Sequence, residues 1–73
     1  MKITINGEAK TINSEHSQIT IDSLIQELGH HPKLIVVEYN GTIIEPKEWE
    51  TQGLKEGDNL EIVTIVGGGS NIQ

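Results

Sequence analysis

The first residues of the chain alternate between apolar and polar. Met1, Ile3 and Ile5 are each followed by one polar residue, which is the period of a strand with one face on a core. Asn6-Gly7 is a strong hairpin signal, because a two-residue turn between antiparallel strands needs positive φ at both positions. Residues 8–13 are predicted to be the return strand, and their lower apolar content favours a sheet edge.

The period then changes to that of a helix. Residues 14–18 are polar and are predicted to form a loop, and Thr20 stands where an N-cap belongs. Gly29 and Pro32 supply the stop. Between these signals, four apolar residues recur at i, i+3, i+4 and i+7 and therefore share one helical face. They are Ile21, Leu24, Ile25 and Leu28.

The second half of the chain repeats the hairpin pattern. Residues 34–40 are rich in β-formers and start apolar on both faces, which predicts a central strand. Asn40-Gly41 is the second hairpin signal, residues 42–45 are the short partner strand, and residues 47–50 form one helical turn. We expect Trp49 in that turn to pack on the core, because nothing polar or glycine-rich beside it describes a ligand pocket.

The last strand, residues 59–66, is apolar on both faces. Leu60 and Ile62 lie on one side, and Val63 and Ile65 on the other. One helix covers only one face of a sheet, so the face of Val63 and Ile65 is a candidate partner surface, although a strand buried on both sides has the same pattern. The whole pattern predicts an α+β fold, with one helix packed on one face of a mixed sheet of about five strands.

Composition narrows the class of protein. A chain of 73 residues is one domain with a small core, and the absence of Phe makes that core aliphatic. The absence of Cys excludes disulfides, thiolate metal sites and thiol nucleophiles. The first residues do not have the pattern of a leader, and no apolar run approaches 18 residues, so we predict neither a signal peptide nor a membrane span. We also predict a cytoplasmic location.

The charge of the chain bears on its partners. The formal net charge is −6, which repels phosphate backbones and argues against nucleic acid. An acidic domain is suited to a basic protein surface, and we expect Glu56, Asp58 and Glu61 to steer that approach. Solubility alone explains the charge equally well.

Two adjacent histidines raise the question of a metal. His30 and His31 lie near Glu27 in the loop after the helix. Adjacent side chains seldom converge on one ion, and no further ligand type clusters with them, so we predict a solvated loop and no metal site.

The chemistry of the chain is expected at residues 67–69, three consecutive glycines after the last strand. Glycine has no Cβ, so such a tail can enter a slot too narrow for side chains. Three extended residues reach roughly 10 Å, enough to carry a terminal carboxylate into another protein's active site. The same composition is typical of a flexible linker. We divide the chain into a folded domain, residues 1–66, and a flexible tail, residues 67–73.

Three segments of the chain form a specific combination. Residues 40–49 combine the Asn-Gly turn with Pro46 and Trp49, residues 54–62 have the sequence Leu-Lys-Glu-Gly-Asp-Asn-Leu-Glu-Ile, and glycines follow at 67–69. With these motifs and spacing, nearly the whole chain resembles the ThiS family, the sulfur carrier proteins of thiamin biosynthesis. The resemblance implies a ubiquitin-like β-grasp, in which the last strand lies mid-sheet, parallel to the first.

The same resemblance implies a protein co-substrate rather than an enzyme. A ThiF-type adenylating enzyme would use ATP and magnesium to activate the terminal glycine carboxylate. Sulfur from a cysteine-desulfurase relay would displace AMP, and the resulting thiocarboxylate would give its sulfur to a ThiG-type thiazole synthase. The carrier itself would bind no cofactor, metal, nucleic acid or membrane, and we expect a monomer.

The implied reactive residue is Gly69, exposed after removal of residues 70–73, because family members end at a glycine pair. Exposure of Gly68 is the less favoured alternative. The residues expected to bind partners are Gly67, Gly68, Val63, Ile65, Glu61 and Asp58.

Three other functions remain open at this point. The sulfur carrier of molybdopterin synthesis has the same fold and terminus, although the short chain, the lack of Phe and the Trp49 segment count against it. A conjugating modifier would pass its activated glycine to a lysine of another protein. An interaction module would have an inert tail.

Overall fold

The computed structural model describes residues 1–13 and 19–65 of the chain. Within these residues a short 3-10 turn, Pro32–Leu34, separates the first helix from the third strand. The strands and helices in chain order are β1 (Lys2–Ile5), β2 (Glu8–Thr11), α1 (Ile21–Leu28), β3 (Ile35–Tyr39), β4 (Thr42–Ile44), α2 (Pro46–Trp49) and β5 (Asn59–Thr64).

The five strands form one mixed sheet in the order β2-β1-β5-β3-β4. β5 runs parallel to β1 and antiparallel to β3, and the two hairpins lie at the outer sides. The last strand of the chain is therefore central: it pairs with β3 along most of its length and with β1 at Asn59 and Leu60. This confirms the predicted β-grasp, a ubiquitin-like fold.

Both Asn-Gly turns have the predicted hairpin geometry. Asn6 and Gly7 have φ of 52° and 83°, and Asn40 and Gly41 have φ of 51° and 89°. Positive φ at both central positions is the requirement of a type I′ turn, whose twist matches that of the strands it joins. The return strand β2 ends at Thr11, two residues earlier than predicted.

The predicted limits of α1 are confirmed. The Thr20 Oγ1 accepts from the Ser23 N–H at 3.2 Å, and the Ser23 Oγ accepts from the Thr20 N–H at 3.1 Å, so each side chain caps the other's backbone. At the other end Gly29 is left-handed, with φ of 83°, and donates to the Gln26 carbonyl. Leu28, the last helical residue, is 43% exposed, so the buried face of α1 has one residue fewer than predicted.

The core lies between α1 and one face of the sheet and is aliphatic, as predicted. Trp49 is 2% exposed, and its Nε1 donates to the Ile44 carbonyl at 3.2 Å, which confirms its position against the core. The buried apolar residues are Ile3, Ile5, Ile21, Leu24, Ile25, Ile35, Val37, Trp49, Leu54, Leu60 and Ile62.

The predicted loop at 14–18 and the predicted tail at 67–73 lie outside the described residues, as does Val66 at the end of the predicted last strand. In the part of the chain that is described, no helix is long and apolar enough to span a bilayer.

Candidate partner-docking site

The predicted site residues divide at the end of β5. Gly67, Gly68 and Gly69 lie outside the described residues. Glu61 and Val63 are in β5, Asp58 immediately precedes it, and Ile65 immediately follows it. The described part of the candidate site is therefore organised by the central strand.

Alternation along β5 gives its two sides different roles. Leu60 and Ile62 are buried in the core, whereas Glu61 and Val63 are on the sheet face away from α1. Val63 is 56% exposed and Ile65 is 48% exposed. Of the two alternatives for the second apolar side of this strand, burial on both sides is therefore wrong for the residues described, and Val63 and Ile65 are uncovered.

The neighbouring strands extend this surface beyond the predicted residues. Val36 on β3 is the cross-strand partner of Val63, and Glu38 is the partner of Glu61. On the other side of β3, Glu38 pairs with Ile43 of β4, which is 64% exposed. We call this surface the outer face: it comprises Val36, Glu38, Ile43, Glu61, Val63 and Ile65.

The outer face leads directly to the start of the tail. The Ile65 N–H donates to the Leu34 carbonyl at 2.6 Å, which fixes the last described residue beside β3, and Leu34 is itself 47% exposed. Gly69 is four positions after Ile65, and four extended residues span at most roughly 14 Å. A protein seated on the outer face near Ile65 could therefore hold Gly69 in its own active site.

Asp58 does not lie on this surface, so the prediction that it is a partner-binding residue is wrong. It is 3% exposed. Its Oδ2 accepts from the Tyr39 hydroxyl at 2.8 Å and the Lys55 N–H at 2.9 Å. Its Oδ1 accepts from the Asn40 Nδ2 at 3.2 Å and the Lys55 Nζ at 3.1 Å. All four of these donors belong to the same chain, and their hydrogen bonds to the carboxylate connect the β3–β4 turn to the start of β5.

These contacts change the pKa of both charged groups. Burial alone would raise the pKa of Asp58, but the Lys55 N–H and the Tyr39, Asn40 and Lys55 side chains outweigh it and hold the pKa below its ordinary value. The hydrogen bond to Asp58, with a smaller one to Tyr39, raises the pKa of the exposed Lys55 ammonium. Asp58 therefore remains ionised at neutral pH as part of the scaffold.

The asparagines of both hairpin turns also hold β5. The Asn6 Oδ1 accepts from the Ile62 N–H at 2.7 Å and its Nδ2 donates to the Ile62 carbonyl at 3.2 Å. The Asn40 Oδ1 accepts from the Asn59 N–H at 2.8 Å. The Asn-Gly signals predicted the turns but not these contacts, because the identity of the strand beside each turn cannot be read locally.

The described residues have no ligand pocket and no group of three or more His, Cys, Asp or Glu placed to hold a metal ion. His31 uses its Nδ1 to accept from the Lys33 N–H at 3.3 Å, as the cap of the 3-10 turn. The described part of the candidate site is an open surface rather than a cleft.

Residues 3–69 match the model of the ThiS family. The crystal structure of the thiamine biosynthesis protein ThiS from Geobacter metallireducens superimposes with a TM-score of 0.80 at 27% identity, over 94% of this chain and all of that one.

Curated sequences give two kinds of relative. The thiazole synthase of Paramagnetospirillum magneticum is 35% identical over 71 residues, which are 97% of this chain but only 21% of that protein. The uncharacterized protein ycf40 of Trieres chinensis is 41% identical over 66 residues, which cover 89% of this chain and 85% of that protein. This chain therefore spans about a fifth of the first relative and most of the second.

Proposed function

The chain belongs to the ThiS family, and on that basis we propose that it is a sulfur carrier of thiamin biosynthesis whose glycine tail bears the sulfur as a thiocarboxylate. The domain acts as a co-substrate: its fold presents the tail, and separate enzymes carry out the chemistry. The observation that carries this proposal is the family match, which runs through the glycines to residue 69.

In the proposed first step a ThiF-type enzyme activates the Gly69 carboxylate. A carboxylate oxygen attacks the α-phosphorus of magnesium-bound ATP, pyrophosphate leaves, and an acyl-adenylate forms. A persulfide sulfur carried by a cysteine-desulfurase relay then attacks the acyl carbon, so that a C–S bond forms and AMP departs. A thiol of the relay reduces the resulting acyl disulfide: the S–S bond breaks, a disulfide forms on the relay, and the thiocarboxylate is released. Activation is needed because a free carboxylate is a poor acyl donor, and holding the two reactants together supplies much of the rate.

The thiazole synthase is proposed as the acceptor of the sulfur. The relative of that name in Paramagnetospirillum magneticum contains, within one polypeptide, a segment that matches nearly the whole of this chain. A carrier domain joined to such a protein supports functional coupling between the two. Both partners must reach the same glycine, so we propose that each docks on the outer face in turn.

Gly69 is proposed as the reactive terminus, with Gly68 as the less favoured alternative, and any residues beyond it must be removed first. A side chain as bulky as Ile72 fits poorly in a channel suited to glycine. We propose that Gly67 and Gly68 lie inside that channel of the adenylating enzyme, while Val63 and Ile65 bind the enzyme's surface outside it.

ATP–pyrophosphate exchange by a ThiF-type enzyme tests this proposal. We expect a chain ending at Gly69 to support exchange, and a matched chain ending at Gly67 to support little or none. The full 73-residue chain should be inactive until it is trimmed. Equal exchange with all three chains would contradict the assignment of Gly69. No exchange with any of them would contradict the carrier function and favour an interaction module with an inert tail.

A further inference from the structure

Two glutamates oppose one another at the centre of the outer face. Glu38 of β3 and Glu61 of β5 are direct cross-strand partners, and neither strand is at an edge of the sheet. Opposed residues have Cβ atoms about 4.5–5.5 Å apart, and like charges placed so are destabilising. Among residues 1–13 and 19–65, neither carboxylate lies within 4.0 Å of a cationic side chain. Within these residues, no cationic side chain offsets the repulsion between the two carboxylates.

The surroundings of this pair are apolar. Val36 and Val63 form the next cross-strand pair on the same face, and Ile43 lies across β3–β4 from Glu38. Glu38 is half-buried, whereas Glu61 and Ile43 are exposed. A partner that covers the aliphatic side chains would also exclude water from the two carboxylates, which strengthens any ionic contact made to them.

We propose that Glu38 and Glu61 together form the recognition element of the outer face, and that they receive an arginine set among apolar side chains on the thiazole synthase. The proposal rests on the proposed function, since it specifies how that partner is recognised. The guanidinium group has five donors in a planar fork and can bridge two carboxylates, which a single point charge does less well. Docking thus removes the repulsion that the free domain carries.

Charge excludes a second copy of this chain as the occupant. Two outer faces stacked on each other would bring four glutamates together, in a protein whose net charge is −6. The choice of the synthase follows from the Paramagnetospirillum magneticum relative, where the matching segment and the rest of a thiazole synthase share one polypeptide. Such a linkage holds a docking surface and its partner at high effective concentration.

The first part of the test uses the free protein. Glu38→Gln and Glu61→Gln should each raise the thermal midpoint at low salt by about 1–5 °C, because each removes the same repulsion. The double variant should gain little over either single one. In 1 M NaCl, where charges are screened beyond roughly 3 Å, the gain should largely vanish. Glu27→Gln, an exposed neutralisation on α1, is the matched control and should change the midpoint less than either variant does.

The second part measures affinity for a purified ThiG-type thiazole synthase by fluorescence anisotropy. Each of the two variants should weaken binding about tenfold, while the Glu27→Gln control binds as the wild type does. The same substitutions would then stabilise the free domain and weaken its complex, a combination that damage to the fold cannot produce.

The outcomes separate this inference from the proposed function. If the wild-type chain is adenylated and binds the synthase, and both glutamine variants bind equally well, the recognition element is wrong and the proposed function stands. A wild-type chain that is adenylated but does not bind the synthase would overturn the chosen occupant. A concentration-dependent dimer abolished by Val63→Ser would assign the face to a second copy. Failure of adenylation with glutamate-dependent binding retained would overturn the proposed function and leave the recognition element supported.

Discussion

Replacing Asp58 with asparagine directly tests the hydrogen-bond network that holds the start of β5. The Asp58 carboxylate is 3% exposed and accepts hydrogen bonds from four donors. An asparagine of the same shape has one acceptor oxygen and one donor amide group. In either orientation the new amide nitrogen therefore faces groups that are themselves donors.

The new amide group will adopt whichever orientation costs less free energy, and that orientation determines the loss of stability. An amide nitrogen in the Oδ2 position would face the Lys55 N–H, a backbone donor that cannot turn away. In the Oδ1 position it faces the Asn40 Nδ2 and the Lys55 Nζ. Lys55 can swing into water because its side chain is 72% exposed, so that ion pair contributes little. The Asn40 amide is held through its Oδ1 by the Asn59 N–H. We therefore expect the free energy of unfolding to fall by about 2 kcal/mol, because one hydrogen bond to a charged group is lost and one donor is left unpaired.

Urea unfolding followed by the fluorescence of Trp49, the single tryptophan, measures this loss. The midpoint of the asparagine variant should fall by about 1–2 M urea with an unchanged slope. The pKa of Asp58 is lower in the folded chain than its unfolded value of about 3.9, so its stabilising effect is complete above roughly pH 5. That effect is lost as the pH falls through the unfolded and then the folded pKa. The difference between wild type and variant should therefore be constant from pH 5 to 7 and shrink below pH 4.

Two controls isolate the effect. Tyr39→Phe removes one donor and leaves the carboxylate charged, so it should cost about 1 kcal/mol. Glu27→Gln, an exposed neutralisation, should leave stability unchanged within about 0.5 kcal/mol. A loss below about 0.5 kcal/mol for the asparagine variant, or a loss that persists undiminished at pH 3, would refute the network as the source of stability.

Four further substitutions test the fold and the outer face. Asn6→Ala should cost about 2–3 kcal/mol in urea unfolding, because the buried Ile62 N–H loses its acceptor and a residue with φ of 52° loses a tolerant side chain; a loss under about 0.5 kcal/mol would contradict this. Trp49→Ala should cost about 3–5 kcal/mol, followed by circular dichroism, because the side chain is 2% exposed; wild-type stability would show that the core tolerates its absence. Val63→Ser and Ile65→Ser should each change stability by less than about 0.5 kcal/mol yet raise the KM for the carrier in pyrophosphate exchange; unchanged KM would remove both from the docking surface.

Local signals in the sequence were enough to predict the elements of the fold. The 3.6-residue period from Ile21 to Leu28, with a cap at Thr20 and a stop at Gly29, depends only on neighbours in the chain, and α1 has these bounds. The two Asn-Gly turns likewise dictate their own φ values. Strand ends were less accurate, because pairing with a distant strand decides where a strand stops.

Non-local contacts were where sequence reasoning failed or stopped short. The sequence predicts Asp58 to be a partner-steering acid because a single Asp between Gly57 and Asn59 has no local mark of burial. Two of its four donors, on Tyr39 and Asn40, lie 19 and 18 residues earlier in the chain. Glu38 and Ile43 join the outer face through the β3–β5 and β3–β4 registers. Those registers become visible only when all three strands are in place, whereas alternation within β5 alone was enough to identify Val63.

The most direct test of the central claim is the intact mass of the protein isolated from its native cell, measured before and after treatment with a thiol-alkylating reagent. The account predicts a species ending at Gly69 that carries one alkylatable sulfur, in a chain that has no Cys. A population that ends beyond Gly69 and takes up no alkylating reagent would contradict the carrier function.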